Sequence, residues 1–482
     1  MSRWLAGAAA TVAGMLVAWL PPGRGVAVIA GVAAVVGVAA LPAYTPAIIA
    51  FAVPFGDLAA LPLGGGVGAT EAGVALVGAA WLARSAQRRR LDLGNNGLLF
   101  PLSVFLGVAA LSAAGAPSFD PAAKELAKWL EFGLMAAMAY SMLSGTRPAF
   151  VAVAALLTAG TLEAAYGVYQ AVSASGPAGF LLGAGTLRAF GNFGQPNPYA
   201  AYLGSVLVLA AGIILAFAAR DRSSLRSPLV LAVVAAAACI SYGVLASFSR
   251  SAWIALVIAF SAMLTAHDRR MAAVLALAAA GTAALAVLGA FDLLPPVMTS
   301  RFAVLLDNFT LFDAREVTLT SANFPLVQRM AIWQAAWEMF QEHPILGAGL
   351  GNFDVAYRNY ALPGWPQLPG HAHNYYLNLL AEGGILLLGS YLALLGSLYY
   401  LVFKAVRRLK RSVASHPSRA TVARYGVTLG GAGLLVLLTV HHLFDNLYVH
   451  GMLAQTGLIL GLSLAVTRMP PEHDSGGATE MQ

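Results

Sequence analysis

Two histidines separated by one residue, His371 and His373, are the side chains of this sequence best suited to acid–base chemistry. An imidazole with its ordinary pKa of about 6.5 is mostly neutral near pH 7, so we predict His373 as a general base. His371, Asn374 and Tyr375 are predicted to bind or position the substrate beside it. A His-x-His pair also occurs in metal sites. However, no cysteine or compact carboxylate cluster follows nearby, so we predict that this site binds no metal.

Three arginines offer permanent positive charges that can bind phosphate oxygens through paired hydrogen bonds. Arg250 lies in the short sequence SRSAW between two apolar runs, where a charge is costly unless it is paired. Arg329 lies in a predicted helix, and Arg188 opens the turn-rich segment RAFGNFGQPNPY, in which Gln195 and Asn197 present amide groups. A role as a membrane-interface anchor is the alternative for Arg188 and Arg250. For Arg329 the alternative is an ordinary solvated helix residue.

Three further features receive other interpretations. The glycines of HPILGAGLGNF resemble a dinucleotide-binding fingerprint, but no strand–turn–helix unit surrounds them, so we predict a shaped turn. Glu382 follows His373 by nine residues and is predicted to be buried and paired. A second group near the C-terminus is interpreted as structural and ranked below the first histidine pair: it consists of His441, His442, Asp445 and His450.

The composition places these residues in a membrane protein. Hydrophobic residues make up 59% of the 482-residue chain and charged residues only 10%, against about 25% charged in soluble domains. Apolar stretches of spanning length predict an all-α polytopic membrane protein with twelve to fourteen transmembrane helices. The first stretch is interpreted as a retained span. The fourteen stretches are 4–20, 26–41, 43–62, 67–85, 98–114, 128–144, 149–170, 197–218, 228–247, 252–266, 271–290, 374–403, 424–440 and 452–467.

The basic residues indicate how these spans are oriented. If the N-terminus is cytoplasmic, 19 of the 28 lysines and arginines lie on the cytoplasmic side, as the positive-inside rule requires. Both termini are therefore predicted to be cytoplasmic, with the histidines and the three arginines at the periplasmic face. The same distribution explains the net charge of +7 without nucleic-acid binding. The single cysteine, Cys239, lies in an apolar run and is interpreted as a structural thiol.

The spans and polar segments divide the chain into four predicted units. Residues 1–290 form a transmembrane helical bundle, and residues 374–467 form the C-terminal transmembrane helices. Between them, residues 291–373 form one large periplasmic loop domain, with a helix over about 326–341. Residues 468–482 form a disordered cytoplasmic tail.

Four motifs in this order resemble the O-antigen polymerase and ligase superfamily of membrane glycosyltransferases, over residues 188 to 388. They are RAFGNFGQPNPYAAYL, SRSAW, QRMAIWQAAWEMFQEHPILGAGLGNF and HAHNYYLNLLAEGGILLL. The resemblance implies a GT-C-like fold and a donor glycan carried on undecaprenyl pyrophosphate. It also implies inverting transfer without a metal ion or other cofactor. By the same resemblance Arg250, Arg329 and His373 occupy functional positions, with Asn374 beside the histidine.

Within that superfamily we predict an O-antigen ligase of the bacterial inner membrane that transfers the glycan to lipid A–core oligosaccharide. An O-antigen polymerase and a protein O-oligosaccharyltransferase are alternatives, and the FGQPN segment is similar to the protein-modifying branch. A transporter of the same lipid-linked glycan is a further alternative. It is disfavoured because the sequence shows no pair of related halves. The predicted partners are the lipid-linked donor, the lipid A–core acceptor and membrane lipids.

Overall fold

The computed structural model describes residues 41–56, 68–91, 96–182, 185–221, 223–287, 312–320, 323–367 and 370–470. Within these ranges the chain forms fourteen α-helices and no β-strand. The helices are α1 (Ala47–Phe55), α2 (Ala69–Arg88), α3 (Asn96–Ala114), α4 (Phe119–Met142), α5 (Thr146–Val172), α6 (Pro196–Arg220), α7 (Pro228–Ala246), α8 (Arg250–His267), α9 (Arg270–Val287), α10 (Phe324–Glu342), α11 (Phe353–Tyr360), α12 (Tyr375–Ser415), α13 (Arg419–His441) and α14 (Met452–Ala465).

Seven of these helices are long and apolar enough to cross a membrane, judged by length and composition: α3, α5, α6, α7, α8, α12 and α13. From residue 67 onward, each predicted span overlaps a helix in the part of the chain that the structure describes. The prediction of an all-α polytopic membrane protein is therefore confirmed. The earlier predicted spans lie wholly or partly outside the described residues, so the number of twelve to fourteen spans stays a prediction.

The centre of the bundle depends on close approaches at glycines. A Cβ at Gly212 of α6 would collide with the backbone of α13 at Gly426 and Gly430. Likewise, Gly457 and Gly461 bring α14 against the backbone of α4. Small residues allow such contacts between membrane helices, where dispersion forces replace the hydrophobic effect as the driving force. The two helices that flank the site described below, α6 and α13, are consequently almost entirely buried.

Helix α12 is interrupted at Gly384, whose φ of +61° lies in the left-handed region that glycine adopts without strain. The break leaves backbone N–H and C=O groups of α12 without partners inside the helix. The turn that follows α10 forms hydrogen bonds with them. Ile385 donates its backbone N–H to Pro344 O at 2.9 Å, and Ala348 donates to Ala381 O at 2.9 Å. Irregular backbone at membrane depth requires such partners because lipid offers none.

The glycine-rich segment after α10 is a shaped turn, as predicted. Gly347, Gly349 and Gly351 all have positive φ, and a Cβ at Gly347 would overlap the backbone at Glu382. Glu382 itself is buried, with only 6% of its surface exposed. Its carboxylate accepts hydrogen bonds from the backbone N–H groups of Gly351 at 3.0 Å and Phe353 at 3.1 Å. The predicted burial and pairing of Glu382 are therefore confirmed, and the partners are backbone amides at the start of α11.

The polar segment before α12 contains the predicted helix, α10, with the observed bounds Phe324–Glu342. Its apolar side packs against α11, where Ile332 and Met339 meet Phe353 and Tyr357. Residues 288–311 of this segment and the tail from residue 471 lie outside the described residues. The four predicted units and their boundaries stay predictions.

Candidate active site

The predicted site residues come from separate parts of the chain and meet at one end of the bundle. Helices α6, α8 and α12 begin at this end, and α13 ends there. At their meeting point lies Asp445, in the turn between α13 and α14, with only 4% of its surface exposed. Two of the groups identified from sequence, the histidine pair and the segment containing Asn197, contact this carboxylate.

His373 and Asp445 form a hydrogen-bonded pair. The distance from His373 Nδ1 to Asp445 Oδ1 is 3.1 Å. The carboxylate also accepts hydrogen bonds from the Asn446 backbone N–H at 2.9 Å and from Asn197 Nδ2 at 2.9 Å. Burial by itself would raise the pKa of Asp445, but the hydrogen bonds and the neighbouring histidines outweigh it and hold the pKa below its usual range. Asp445 is therefore ionised near neutral pH.

An ionised carboxylate only accepts hydrogen bonds, so the proton of a neutral His373 ring lies on Nδ1. The other ring nitrogen, Nε2, then carries a free lone pair and can accept a proton. The His373 side chain is 29% exposed, so a substrate can reach it. Its backbone has a φ of +49°, a conformation that non-glycine residues hold only when their surroundings impose it.

The neighbours of His373 hold this segment in place. Its backbone N–H donates to His371 Nδ1 at 3.1 Å, and Asn374 caps α12 by accepting from the N–H groups of Tyr376 and Leu377. Burial, partly offset by Asp445, lowers the pKa of His371 to about 4. His371 is therefore neutral near pH 7.

Arg250 and Arg329 lie near enough to Arg188 for their charges to interact with it. Arg188 donates from Nε to the Ser247 carbonyl at 2.9 Å and from Nη2 to Asn197 Oδ1 at 3.4 Å. Burial lowers the pKa of Arg188, and the charges of Arg250 and Arg329 lower it further. Arg250 is exposed at the start of α8, and Arg329 is half-buried on α10. The arrangement concentrates positive charge and can bind an anion with several oxygens.

Asn197 links Arg188 to the carboxylate that holds the histidine pair. Its Oδ1 accepts from Arg188 Nη2 and from Ser249 Oγ, the latter at 2.9 Å, while its Nδ2 donates to Asp445. Ser249 immediately precedes Arg250 in the chain. The Asn197 side chain therefore fixes Arg188 and Ser249 relative to Asp445.

Two buried polar side chains of α5, Glu163 and Gln170, position the segment that carries Arg188 and Asn197. Glu163 is fully buried and accepts from the Asn192 backbone N–H at 2.7 Å and from its side-chain amide at 2.6 Å. Gln170 exchanges two hydrogen bonds with the backbone of Gly191. Neither Glu163 nor Gln170 was predicted from the sequence. The sequence did indicate a functional or structural pair there, because polar side chains seven residues apart in an apolar helix share one face.

Other candidates have different surroundings. Tyr375 is 1% exposed and packs against Tyr391, Tyr448 and His442, so we assign it a packing role. Gln195 is exposed immediately before α6.

The second histidine group contributes one residue, Asp445, to the site. His441 and His442 are fully buried, and His441 Nε2 lies 3.0 Å from Ser251 Oγ. His450 is exposed, and its ring lies against that of Phe193. Ranking the whole group below the first histidine pair therefore overlooked the carboxylate that holds His373.

The reason given from sequence for excluding a metal is wrong. A carboxylate does lie beside the histidine pair: ligand atoms of His371, His373 and Asp445 lie within 4.8 Å of one another. Asp445 was not counted as a ligand in the sequence analysis because it lies 72 residues after His373 in the chain. The absence of a metal requirement stays a prediction.

Part of the chain is similar to a known protein family. No curated protein matches the chain. Residues 235–392 match the model of a family described as O-antigen ligase. That stretch contains Arg250, Arg329, His371 and His373, whereas Asp445 lies outside it. The match covers about a third of the chain, so over residues 235–392 the chain is similar to the O-antigen ligase family.

Proposed function

We propose that the protein is an O-antigen ligase acting at the periplasmic face of the bacterial inner membrane. It transfers a glycan from undecaprenyl pyrophosphate to lipid A–core oligosaccharide by an inverting, metal-independent displacement. The observation that carries this proposal is the His373–Asp445 pair, which Asn197 connects to Arg188, with the charges of Arg250 and Arg329 close to that arginine. A base beside an anion-binding cluster is what transfer from a pyrophosphate donor to a hydroxyl requires.

The arginines act on the donor. As the bond between the sugar and the pyrophosphate breaks, both electrons stay with the pyrophosphate oxygen and negative charge accumulates there. Guanidinium groups stay charged at any relevant pH and bind phosphate oxygens in pairs. Arg250 and Arg329 bind the departing pyrophosphate. Arg188, held beside Asn197, adds to the positive electrostatic potential at that place.

His373 acts on the acceptor. The acceptor hydroxyl gives its proton to Nε2 while its oxygen attacks the anomeric carbon on the side opposite to the pyrophosphate. The anomeric centre is inverted by this single displacement. Asp445 keeps the ring in the required tautomer and stabilises the imidazolium that forms, as a buried carboxylate does in other catalytic Asp–His pairs.

Transfer with purified components tests the proposal. We expect protein in detergent, supplied with the lipid-linked glycan and lipid A–core, to form a glycosylated lipid A–core product. A pilin-like peptide should stay unmodified, and the donor glycan alone should not lengthen. Modification of the peptide would assign the protein to the protein O-oligosaccharyltransferases, and chain lengthening to the polymerases. If no acceptor reacts but the donor crosses the bilayer of liposomes containing the protein, the protein is a transporter.

The orientation can be tested by cysteine labelling in a Cys239→Ser background. Single cysteines replace four exposed residues: Arg90, Arg315, Gln367 and Arg408. In intact cells with a permeabilised outer membrane, an impermeant maleimide should label positions 315 and 367 only. All four should react once the inner membrane is disrupted. Labelling of position 90 in intact cells would contradict the proposed orientation.

The proposed mechanism needs no divalent cation because the arginines supply the positive charge. We therefore expect EDTA to leave transfer by the purified protein unchanged. The measurement is product formation before and after chelation, with dialysis into metal-free buffer as a second treatment. Loss of activity that Mg²⁺ or Mn²⁺ restores would contradict the role given to the arginines.

A further inference from the structure

We propose that His371, His373 and Asp445 form a binding site for Zn²⁺, and that zinc bound there inhibits transfer. Zinc binding follows from the geometry of the three side chains alone. The inhibitory effect rests in addition on the function proposed above, because it acts through the tautomer of His373.

The spacing of the ligand atoms suits zinc. Asp445 Oδ1 lies 3.1 Å from His373 Nδ1 and 3.7 Å from His371 Nε2. Two ligands of a tetrahedral zinc ion, each at roughly 2.0 to 2.2 Å, lie about 3.4 Å apart. The two observed separations bracket that value, so small side-chain rotations suffice for three-point coordination. Water would complete the tetrahedron.

The chemistry and accessibility of the site also favour zinc. Two imidazoles and one carboxylate are a ligand set that binds zinc in preference to Mg²⁺ or Ca²⁺, which favour oxygen ligands. The side chains of His371 and His373 are 22% and 29% exposed, so an ion can enter from solvent. Asn197 and the Asn446 backbone N–H hold the carboxylate in position from its other side.

Zinc at this position would remove the base. Coordination requires the lone pair of His373 Nδ1, the atom that otherwise donates a hydrogen bond to Asp445. The ring proton then moves to Nε2, which can no longer accept the proton of an acceptor hydroxyl. The arginines do not take part in coordination. Zinc should therefore stop transfer while leaving the donor able to bind.

Coordination also has a cost, which limits the affinity. His371 Nδ1 accepts a hydrogen bond from the His373 backbone N–H. A neutral imidazole bound to zinc through Nε2 carries its proton on Nδ1, so this hydrogen bond must be given up. We therefore expect a dissociation constant in the micromolar range.

The test is calorimetric titration of the metal-free protein in detergent with ZnCl₂. We expect one zinc ion per chain, with at least about tenfold weaker binding in His371→Gln and in Asp445→Asn. His343→Gln is the matched control, because His343 is an exposed histidine and is not one of the three proposed ligands. Its affinity should equal that of the original protein. Absence of binding, or equal binding by all four proteins, would overturn the proposed site.

A second measurement separates this inference from the proposed function. Zinc at saturating concentration should abolish transfer, and EDTA should restore it, while undecaprenyl pyrophosphate still binds with unchanged affinity. Zinc that binds yet leaves transfer intact, or raises it, would overturn the inhibitory effect. A protein that binds zinc but transfers no glycan to any acceptor would contradict the proposed function and leave the metal site standing.

Discussion

Replacing His373 with alanine is expected to abolish detectable glycan transfer while leaving donor binding intact. Removal of a general base costs about 10² to 10⁴ in rate. The neighbouring His371 is a poor substitute, since its Nδ1 already accepts a hydrogen bond from the backbone N–H of residue 373. The arginines stay in place, so the affinity for undecaprenyl pyrophosphate should be unchanged. The measurements are initial transfer rates and binding of that lipid to the same preparation.

Three further variants make this test specific. Asp445→Asn should cause a comparable loss, because an amide that donates to His373 Nδ1 moves the ring proton to Nε2. His371→Ala should be milder, and His343→Ala, which changes an exposed histidine, should retain full activity. If His371→Ala is inactive and His373→Ala is active, the base is the other histidine. If both are active, the proposed chemistry has no base in this pair.

Replacing Arg250 or Arg329 with alanine is expected to lower kcat/KM by about 10² to 10³, the usual consequence of removing one preorganised donor from a charge-stabilising site. Unlike His373→Ala, either change should also weaken binding of undecaprenyl pyrophosphate, because the ground-state pyrophosphate is already charged. Lysine at either position should recover only part of the activity, since an ammonium group cannot form the paired hydrogen bonds of a guanidinium.

Arg315→Ala is the matched control for the arginine variants. Arg315 lies in the same polar segment as Arg329, but its partner is Glu338, in an exposed ion pair of 2.9 Å. Such pairs contribute little to stability, so transfer and donor binding should both be unaffected. Full activity in Arg250→Ala, with normal amounts of protein in the membrane, would show that Arg250 only anchors α8 at the membrane interface and does not act on the donor.

The helices were predictable because membrane spans are encoded locally. About 20 consecutive apolar residues suffice to define a span. Helix α10 could be predicted to within a few residues from the i, i+4, i+8 spacing of Arg329, Trp333 and Trp337 and from Pro344 and the glycines that follow it. His371 and His373 could be identified because they are two residues apart. These predictions needed no knowledge of which helices are neighbours.

The partners of these residues could not be predicted, because they depend on contacts between distant parts of the chain. Asp445 reaches His373 only when α13 packs beside the start of α12, and Glu163 reaches Asn192 only when the segment before α6 folds back on α5. For Tyr375, by contrast, the sequence suggested a contact that the structure does not show. Its position beside His373 in sequence suggested a contact with substrate, yet the helix turns its ring into an aromatic core.

The turn that carries Asp445 lies beyond α13, so this carboxylate is the last component of the site to leave the ribosome. Membrane proteins enter the bilayer from the N-terminus as they are synthesised, and earlier parts begin to fold first. A nascent chain that has inserted α12 already contains the three arginines and both histidines, but His373 then lacks the acceptor for its Nδ1 proton. Under the proposed mechanism, such a chain binds the donor but lacks the carboxylate that orients the base. Under the proposed mechanism, catalytic activity therefore requires synthesis of α13 and of the turn that follows it.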